Sequence, residues 1–392
     1  MAVRSALNRK PELELPLDSH PESRLDFDHV RRALQDGYDR PFLLIDTDII
    51  RAKARRMRAA MPRVEAHYAV KANPDPAVLR TLIEEGVGFE VASIAELELL
   101  IGLGVDPAGV HYSNPVKSPD YIRRAAAEGV RWYAVDSEEE LRKVFRLHTA
   151  ASMTLRIDVP NTGSDWPLSG KFGAQPREAD EIIAAAAELG ADLAGVTFHV
   201  GSQCRNAENW RVAIETADLT WRKMQRAGLA LRLLNIGGGF PVRLTKPIPS
   251  IEIIGAVVNE ALERFGADVD VVAEPGRYLV SDSAYFVCRV VGTARRGGKR
   301  WLYLDTGMFG GLLETSDGLQ YEVLTDRDGP LVPWHVAGPT CDSVDVVMRD
   351  QLLPDNLQAD DFVYLPNAGA YTTAYASNFN GFPLPQVRFV TR

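Results

Sequence analysis

Between Pro41 and Pro275, short apolar runs alternate with longer amphipathic stretches, and this alternation constrains the fold more than any other feature of the chain. Phe42–Ile45 precedes a helical pattern over Ile49–Ala60, Ala66–Val70 precedes Pro76–Glu85, and Phe89–Val91 precedes Ala95–Leu103. The rhythm continues through Val110–Tyr112, Trp132–Val135, Thr154–Ile157, Gly195–Val200, Leu233–Ile236 and Val269–Ala273, separated by helix-like stretches such as Ala179–Leu189 and Ala207–Ala227. About eight or nine βα units suit an α/β fold of the (β/α)8 TIM-barrel type better than an open doubly wound sheet. Repetition alone fixes neither closure nor handedness.

After Gly276 the texture changes to β-rich segments with turns, among them Tyr285–Gly292, Arg300–Asp305, Leu331–Val336 and Asp361–Leu365. Three regions follow. A lead-in over 1–40, with a short helical pattern around Val30–Leu34, is expected to join the β domain. A barrel spans 41–275, and a mainly-β domain of sandwich or barrel type spans 276–392.

The 392 residues are 46% hydrophobic, enough for a large core, and the formal charge of −9 offers no footprint for nucleic acid or an anionic membrane. Cys204, Cys288 and Cys341 are too few and too irregularly spaced for a disulfide framework or a zinc site. No apolar run reaches the roughly 20 residues a spanning helix needs, so no membrane association is expected and a cytoplasmic setting is.

Polar residues at the ends of barrel strands are the first place to look for chemistry. Lys71, in His67-Tyr68-Ala69-Val70-Lys71-Ala72-Asn73, ends an apolar run, where a shielded amine with a lowered pKa can form an imine. Taken alone, a lysine snorkelling at a strand end accounts for it more simply. Gly237-Gly238-Gly239 follows another run and allows backbone N–H groups to approach an anion without Cβ obstruction; a flexible turn is the alternative. Its spacing is neither the Walker pattern nor G-x-G-x-x-G, which disfavours a nucleotide.

Glu274-Pro275-Gly276-Arg277 ends the last run with a carboxylate and a guanidinium, suited to a ring nitrogen and a phosphate or simply to each other. His199 and Ser202 follow a further run, where an imidazole could stack on a planar cofactor and a hydroxyl could bond its phosphate. Far down the chain, Cys341 and Asp342 put a thiol beside a carboxylate in a turn: a proton donor and an ammonium acceptor, or an inert pair.

Taken together and in this order, Tyr68-Ala69-Val70-Lys71-Ala72-Asn73, His199-Val200-Gly201-Ser202, Gly237-Gly238-Gly239-Phe240-Pro241, Glu274-Pro275-Gly276-Arg277 and Cys341-Asp342 resemble the fold-type III ornithine/diaminopimelate/arginine decarboxylases. The likeness runs from about Pro41 to Phe389 and lies nearest the bacterial ornithine decarboxylases.

The resemblance implies an alanine racemase-like barrel that binds pyridoxal 5′-phosphate (PLP), a C-terminal β domain, and a homodimer whose active sites are shared. It implies that Lys71 carries PLP, His199 stacks on its ring and Glu274 pairs with the pyridine nitrogen. Ser202, Gly238, Gly239, Arg277 and Tyr371 would surround the phosphate. Cys341 and Asp342 would come from the other subunit, as proton donor and as contact for the distal amine.

Two further stretches match. Leu155-Arg156-Ile157 and Ser169-Gly170-Lys171-Phe172-Gly173 resemble the strand and mobile loop beside the family's site, making 158–170 a candidate lid. Phe379-Asn380-Gly381-Phe382 resembles the family's C-terminal signature. One departure is visible: Glu90 stands where relatives commonly carry Asp, which keeps the charge and alters the reach.

Substrate choice rests on charge. Family members acting on diaminopimelate need cations for its distal carboxylate and typically show Cys-Glu where this chain has Cys341-Asp342. The segment Thr306–Thr315 resembles the specificity segment of bacterial ornithine decarboxylases and offers Glu314 with no arginine. Acidic groups at both places favour a distal ammonium. L-Ornithine, giving putrescine and CO2, is the first expectation. Lysine, diaminopimelate and carboxylated polyamines are alternatives on the same fold, as is a catalytically silent regulatory homologue.

Overall fold

The computed structural model describes residues 25–166 and 170–391. Eight strands, Glu65–Ala69, Gly88–Val91, His111–Tyr112, Trp132–Val135, Ser152–Arg156, Asp192–Thr197, Leu233–Asn235 and Asp270–Ala273, pair in parallel and close into a barrel. Closure comes through Asp270–Ala273, which pairs with Leu233–Asn235 on one side and Glu65–Ala69 on the other. Seven helices alternate with these strands. The eighth, Thr47–Ala60, comes before the first strand and packs beside Pro76–Glu84 and Ile251–Ala261, completing the outer ring.

Local sequence explains where the helices begin and end. Asp75, Ser93, Ser118, Ser137 and Ser250 each cap a helix by accepting a backbone N–H, and Pro76, Pro119 and Pro176 occupy first-turn positions that need no donor. Gly129 and Gly190 end their helices in the left-handed region, at φ of 100° and 65°. Such short, sharply ended units bring every strand's C-terminal end to one face of the barrel.

Phe42–Ile45, whose apolar run reads as the opening barrel strand, lies elsewhere. It sits in the β domain, antiparallel to Ala284–Arg296 and parallel to Gln386–Phe389. All four residues are buried, the same signature a parallel barrel strand gives. The helix Phe27–Gln35 packs there too, with Val30 against a cluster containing Phe42, Leu44, Tyr285, Val287 and Tyr364.

The β domain is an eight-stranded sheet whose main path carries Ala284–Arg296, Lys299–Leu304, Leu331–Ala337, Val346–Pro354 and Phe362–Pro366. Val346–Pro354 and Gln386–Phe389 have no counterpart among the segments read from the sequence. One apolar core runs continuously from the barrel into this sheet, including Leu79, Leu155, Leu234, Phe286, Leu302 and Leu365. Among the described residues, no helix is long and apolar enough to cross a membrane, and no cluster of three His, Cys, Asp or Glu could hold a metal.

Candidate active site

Lys71 lies in the single turn Val70–Ala72 that follows Glu65–Ala69. Its Nζ donates to Glu90 Oε1 at 2.8 Å, while 51% of the side chain stays open to a cavity. Burial pulls the ammonium's pKa down, but the charge and hydrogen bond of Glu90, with Tyr371 and Glu274, outweigh it, so the pKa is raised. The lowered lysine pKa expected from the sequence is therefore corrected for the cofactor-free protein. The cause is the buried carboxylate two strand positions into Gly88–Val91. Burial in turn raises the Glu90 pKa against the pull of Lys71, and Glu90 Oε2 is buried with no hydrogen-bond partner.

His199 follows Asp192–Thr197. The Gly201 N–H donates to its Nδ1 at 3.0 Å, which leaves the proton of the neutral ring on Nε2. Burial, then the charges of Arg156 and Lys71, push its pKa down to about 3, so the ring is neutral at ordinary pH. Glu274, just past Asp270–Ala273, is held from two directions: Ser113 Oγ and Asn235 Nδ2 both donate to its Oε1, the latter at 2.7 Å. Both donors sit at strand ends, so the carboxylate's position is fixed by the barrel itself.

Gly237–Gly239 cross directly beneath these groups. Gly239 has φ of 103°, and a Cβ there would strike Gly201 O; a Cβ on Gly238 would come 2.7 Å from Glu274 O and 3.1 Å from His199 Nε2. Only glycine permits the backbone to pass this closely.

Arg277, buried, begins the short helix Arg277–Val280, and its Nη2 donates to Glu314 Oε1 at 2.6 Å. Its Nε and Nη1 are buried without partners, as is Glu314 Oε2. Unpartnered buried guanidinium donors are costly unless an anion completes them. Tyr371, at φ of 56°, donates its backbone N–H to Ala72 O at 2.8 Å and lays its ring 4.9 Å from the Arg277 guanidinium.

Lys71, Glu90, His199, Ser202, Gly239, Glu274, Arg277 and Tyr371 thus line one recess, and Lys71 and Tyr371 continue into an outer cavity of about 460 Å³ bordered by Pro74, Leu99 and Tyr375. Glu314 reaches this recess through Arg277. Cys341 and Asp342 line neither space: Cys341 is exposed, 3.5 Å from Asn380 Oδ1, and Asp342 caps its own turn through the Val344 N–H. Of the candidate lid, Ser164–Trp166 pairs with Ser202–Cys204, while Pro167–Ser169 lie outside the described residues.

Sequence reasoning passed over Ser113, although it is the first polar residue after His111–Tyr112 and the rule of inspecting strand ends would have found it. Trp166, whose ring lies 5.6 Å from the Arg277 guanidinium, had no such signal.

A strand-end amine in an open cavity, a neutral imidazole, a fixed carboxylate and a glycine-lined nest with spare guanidinium donors fit an aldehyde coenzyme bearing a ring nitrogen and a phosphate. The fold and site define the class of PLP-binding barrel proteins. Residues 47–281 match the family model described as the pyridoxal-binding domain of pyridoxal-dependent decarboxylases. An ornithine decarboxylase of Panagrellus redivivus is 37% identical over 377 residues, covering 90% of this chain and 86% of that one. Antizyme inhibitor 2 of Xenopus laevis is 35% identical over 368 residues, covering 89% and 80%. Among solved structures, a lysine/ornithine decarboxylase from Vibrio vulnificus complexed with cadaverine superposes with a TM-score of 0.86 at 37% identity, over 93% of this chain and 98% of that one. The chain belongs to the fold-type III PLP-dependent decarboxylase family of ornithine, lysine and arginine decarboxylases, and its cofactor is PLP.

Proposed function

We propose that this protein removes the α-carboxyl group of a basic amino acid, L-ornithine first, releasing putrescine and CO2. The observation that carries this reading is the convergence of Lys71, His199 and Glu274 on one recess beside a nest whose donors await an anion. When bound, PLP supplies the electron sink for the pair left behind as CO2 departs.

The chain's own residues do the rest. Lys71 Nζ is the amine that holds the cofactor between turnovers. Neutral His199 stacks on its ring, and Glu274, pinned by Ser113 and Asn235, keeps a proton on the ring nitrogen. Ser202, Gly238, Gly239, Arg277 and Tyr371 take the phosphate.

Cys341 and Asp342 act across a homodimer interface. Both stand away from the recess of their own chain, exposed Tyr375 lines the outer cavity, and Phe379 and Leu313 are exposed as well, apolar surface that a second copy would cover. Cys341 of the partner subunit then returns a proton to Cα, and Asp342 of the partner subunit receives the distal ammonium. Glu314, paired with Arg277 and lining neither space, serves the guanidinium rather than the substrate's ammonium. Ornithine and lysine differ by one methylene, worth only about 1–3 kcal/mol in a pocket.

The test is incubation with L-ornithine, L-lysine, L-arginine and diaminopimelate, with CO2 and amine products measured. Putrescine formed fastest, from ornithine, supports the proposal. Cadaverine as the main product moves the substrate to lysine, and products that keep their carboxyl group defeat decarboxylation altogether. A second reading, a silent homologue acting through a protein partner, draws on the likeness to an antizyme inhibitor. That reading requires the purified protein to show no cofactor absorption band after PLP is added, and no turnover.

A further inference from the structure

Arg277 is enclosed more completely than one ion pair requires. Glu314 fixes Nη2, and the rings of Tyr371 and Trp166 lie 4.9 and 5.6 Å from its guanidinium carbon. Glu314 and Tyr371 belong to the β-domain part of the chain. Trp166 comes from the barrel, in the long excursion between Ser152–Arg156 and Pro176–Leu189.

The backbone of that excursion is tied to the site as well. Ser164–Trp166 runs antiparallel to Ser202–Cys204 with Trp166 in register opposite Ser202. The two segments approach so closely at Gly201 that a Cβ there would meet the Ser164 side chain and lie 3.0 Å from Trp166 O. Trp166 therefore meets both Arg277, through its ring, and Ser202, through its strand.

We propose that Trp166 is a positioning residue for the phosphate group of the cofactor: its ring holds the guanidinium of Arg277 in plane while its backbone holds Ser202, so that both present donors to one anion. The proposal rests on the reading of Arg277 and Ser202 as phosphate contacts. A guanidinium held only at Nη2 can still swing its Nε and Nη1 donors about the side-chain axis. Rings against it restrict that motion and add cation–π attraction in a desolvated setting. Trp166 is half-buried and packs against the continuous core from its edge, so its ring joins that core to the Arg277 guanidinium.

The consequence is selectivity for the phosphorylated coenzyme. Cofactor-free protein is titrated with PLP and, separately, with pyridoxal, which lacks the phosphate, and binding is followed by the cofactor's absorbance. Trp166→Ala is expected to weaken PLP by about tenfold while leaving pyridoxal affinity unchanged, and Trp166→Phe to restore most of the loss. Should Trp166→Ala fail to fold, Trp166→Leu, which keeps apolar bulk without a ring face, carries the same expectation.

Arg277→Gln is the control for the underlying reading, with a larger loss for PLP and none for pyridoxal. If Arg277→Gln behaves so and the Trp166 variants either change nothing or weaken both ligands equally, the role given to Trp166 is overturned. If Arg277→Gln leaves the ratio of the two affinities intact, the phosphate assignment falls, and the proposal with it.

Discussion

Lys71 and Lys117 both follow a barrel strand, both meet a buried glutamate, and their surroundings make opposite things of them. Lys117 Nζ donates to the carbonyls of Asn114 at 2.9 Å and Ala134 at 2.7 Å and stands 3.1 Å from Glu140 Oε1, with its side chain sealed from solvent. Burial pushes its pKa down to about 8. Lys71 has one hydrogen-bond partner among the described residues, Glu90, and a raised pKa.

Judged by proton affinity alone, Lys117 is the better nucleophile. Judged by access, it is useless: its donors are taken and no substrate can reach it. Among the described residues nothing takes the other two donor positions of Lys71, which faces the cavity. Reactivity here is a matter of an open side with one movable partner, which is why a perturbed pKa is a pointer to a site only when a cavity accompanies it.

Exchanging each lysine tests the contrast, and the largest effect is expected at Lys71. Lys71→Ala should lower the decarboxylation rate by about a thousandfold or more, with little change in thermal stability. Normal turnover by that variant would remove the distinction. Next comes Glu274, a carboxylate held as firmly as Lys117 yet facing the cavity as Lys71 does. Glu274→Gln should cost about a hundredfold in kcat while the cofactor still binds, checked by steady-state kinetics beside an absorbance titration.

Lys117→Met should do the reverse of Lys71→Ala. It leaves buried carbonyls without their donor and Glu140 with Lys143 and the backbone N–H of residue 117, and should cost about 2–3 kcal/mol in urea unfolding while kcat per bound cofactor is retained.

The smallest effect is a pH dependence. His199 has a folded pKa near 3, below the ordinary histidine value of about 6.5. Its contribution to stability is fully present above about pH 6.5 and is lost as pH falls toward the folded value. In cofactor-free protein the stability difference between the wild type and His199→Gln should shrink by about 1–2 kcal/mol between pH 7.5 and 5. A difference that stays constant with pH would mean that the imidazole is as easily protonated there as in water.

The barrel was readable because its strands are continuous apolar runs with polar residues at their ends, and because Ser, Asp, Pro and Gly punctuate its helices. Phe42–Ile45 misled for a physical reason: a strand buried on both faces looks the same in a barrel and in the middle of a sheet. Val346–Pro354 escaped notice because Arg349-Asp350-Gln351 interrupts its apolar run, with Asp350 at φ of 54°. At the site, residues following strands could be found by position. The Glu314–Arg277 pair, the Trp166 ring and the Ser113–Glu274 bond join distant segments, and no local pattern encodes them.

Covalent mapping of the cofactor bears most directly on the account. Protein loaded with PLP is reduced with borohydride, digested, and searched by mass spectrometry for the modified peptide. The label is expected on Lys71, in the stretch ending Val70-Lys71-Ala72-Asn73. A label on Lys117 or any other amine, or none at all, would contradict the claim that the open lysine beside Glu90 is the one that holds the coenzyme.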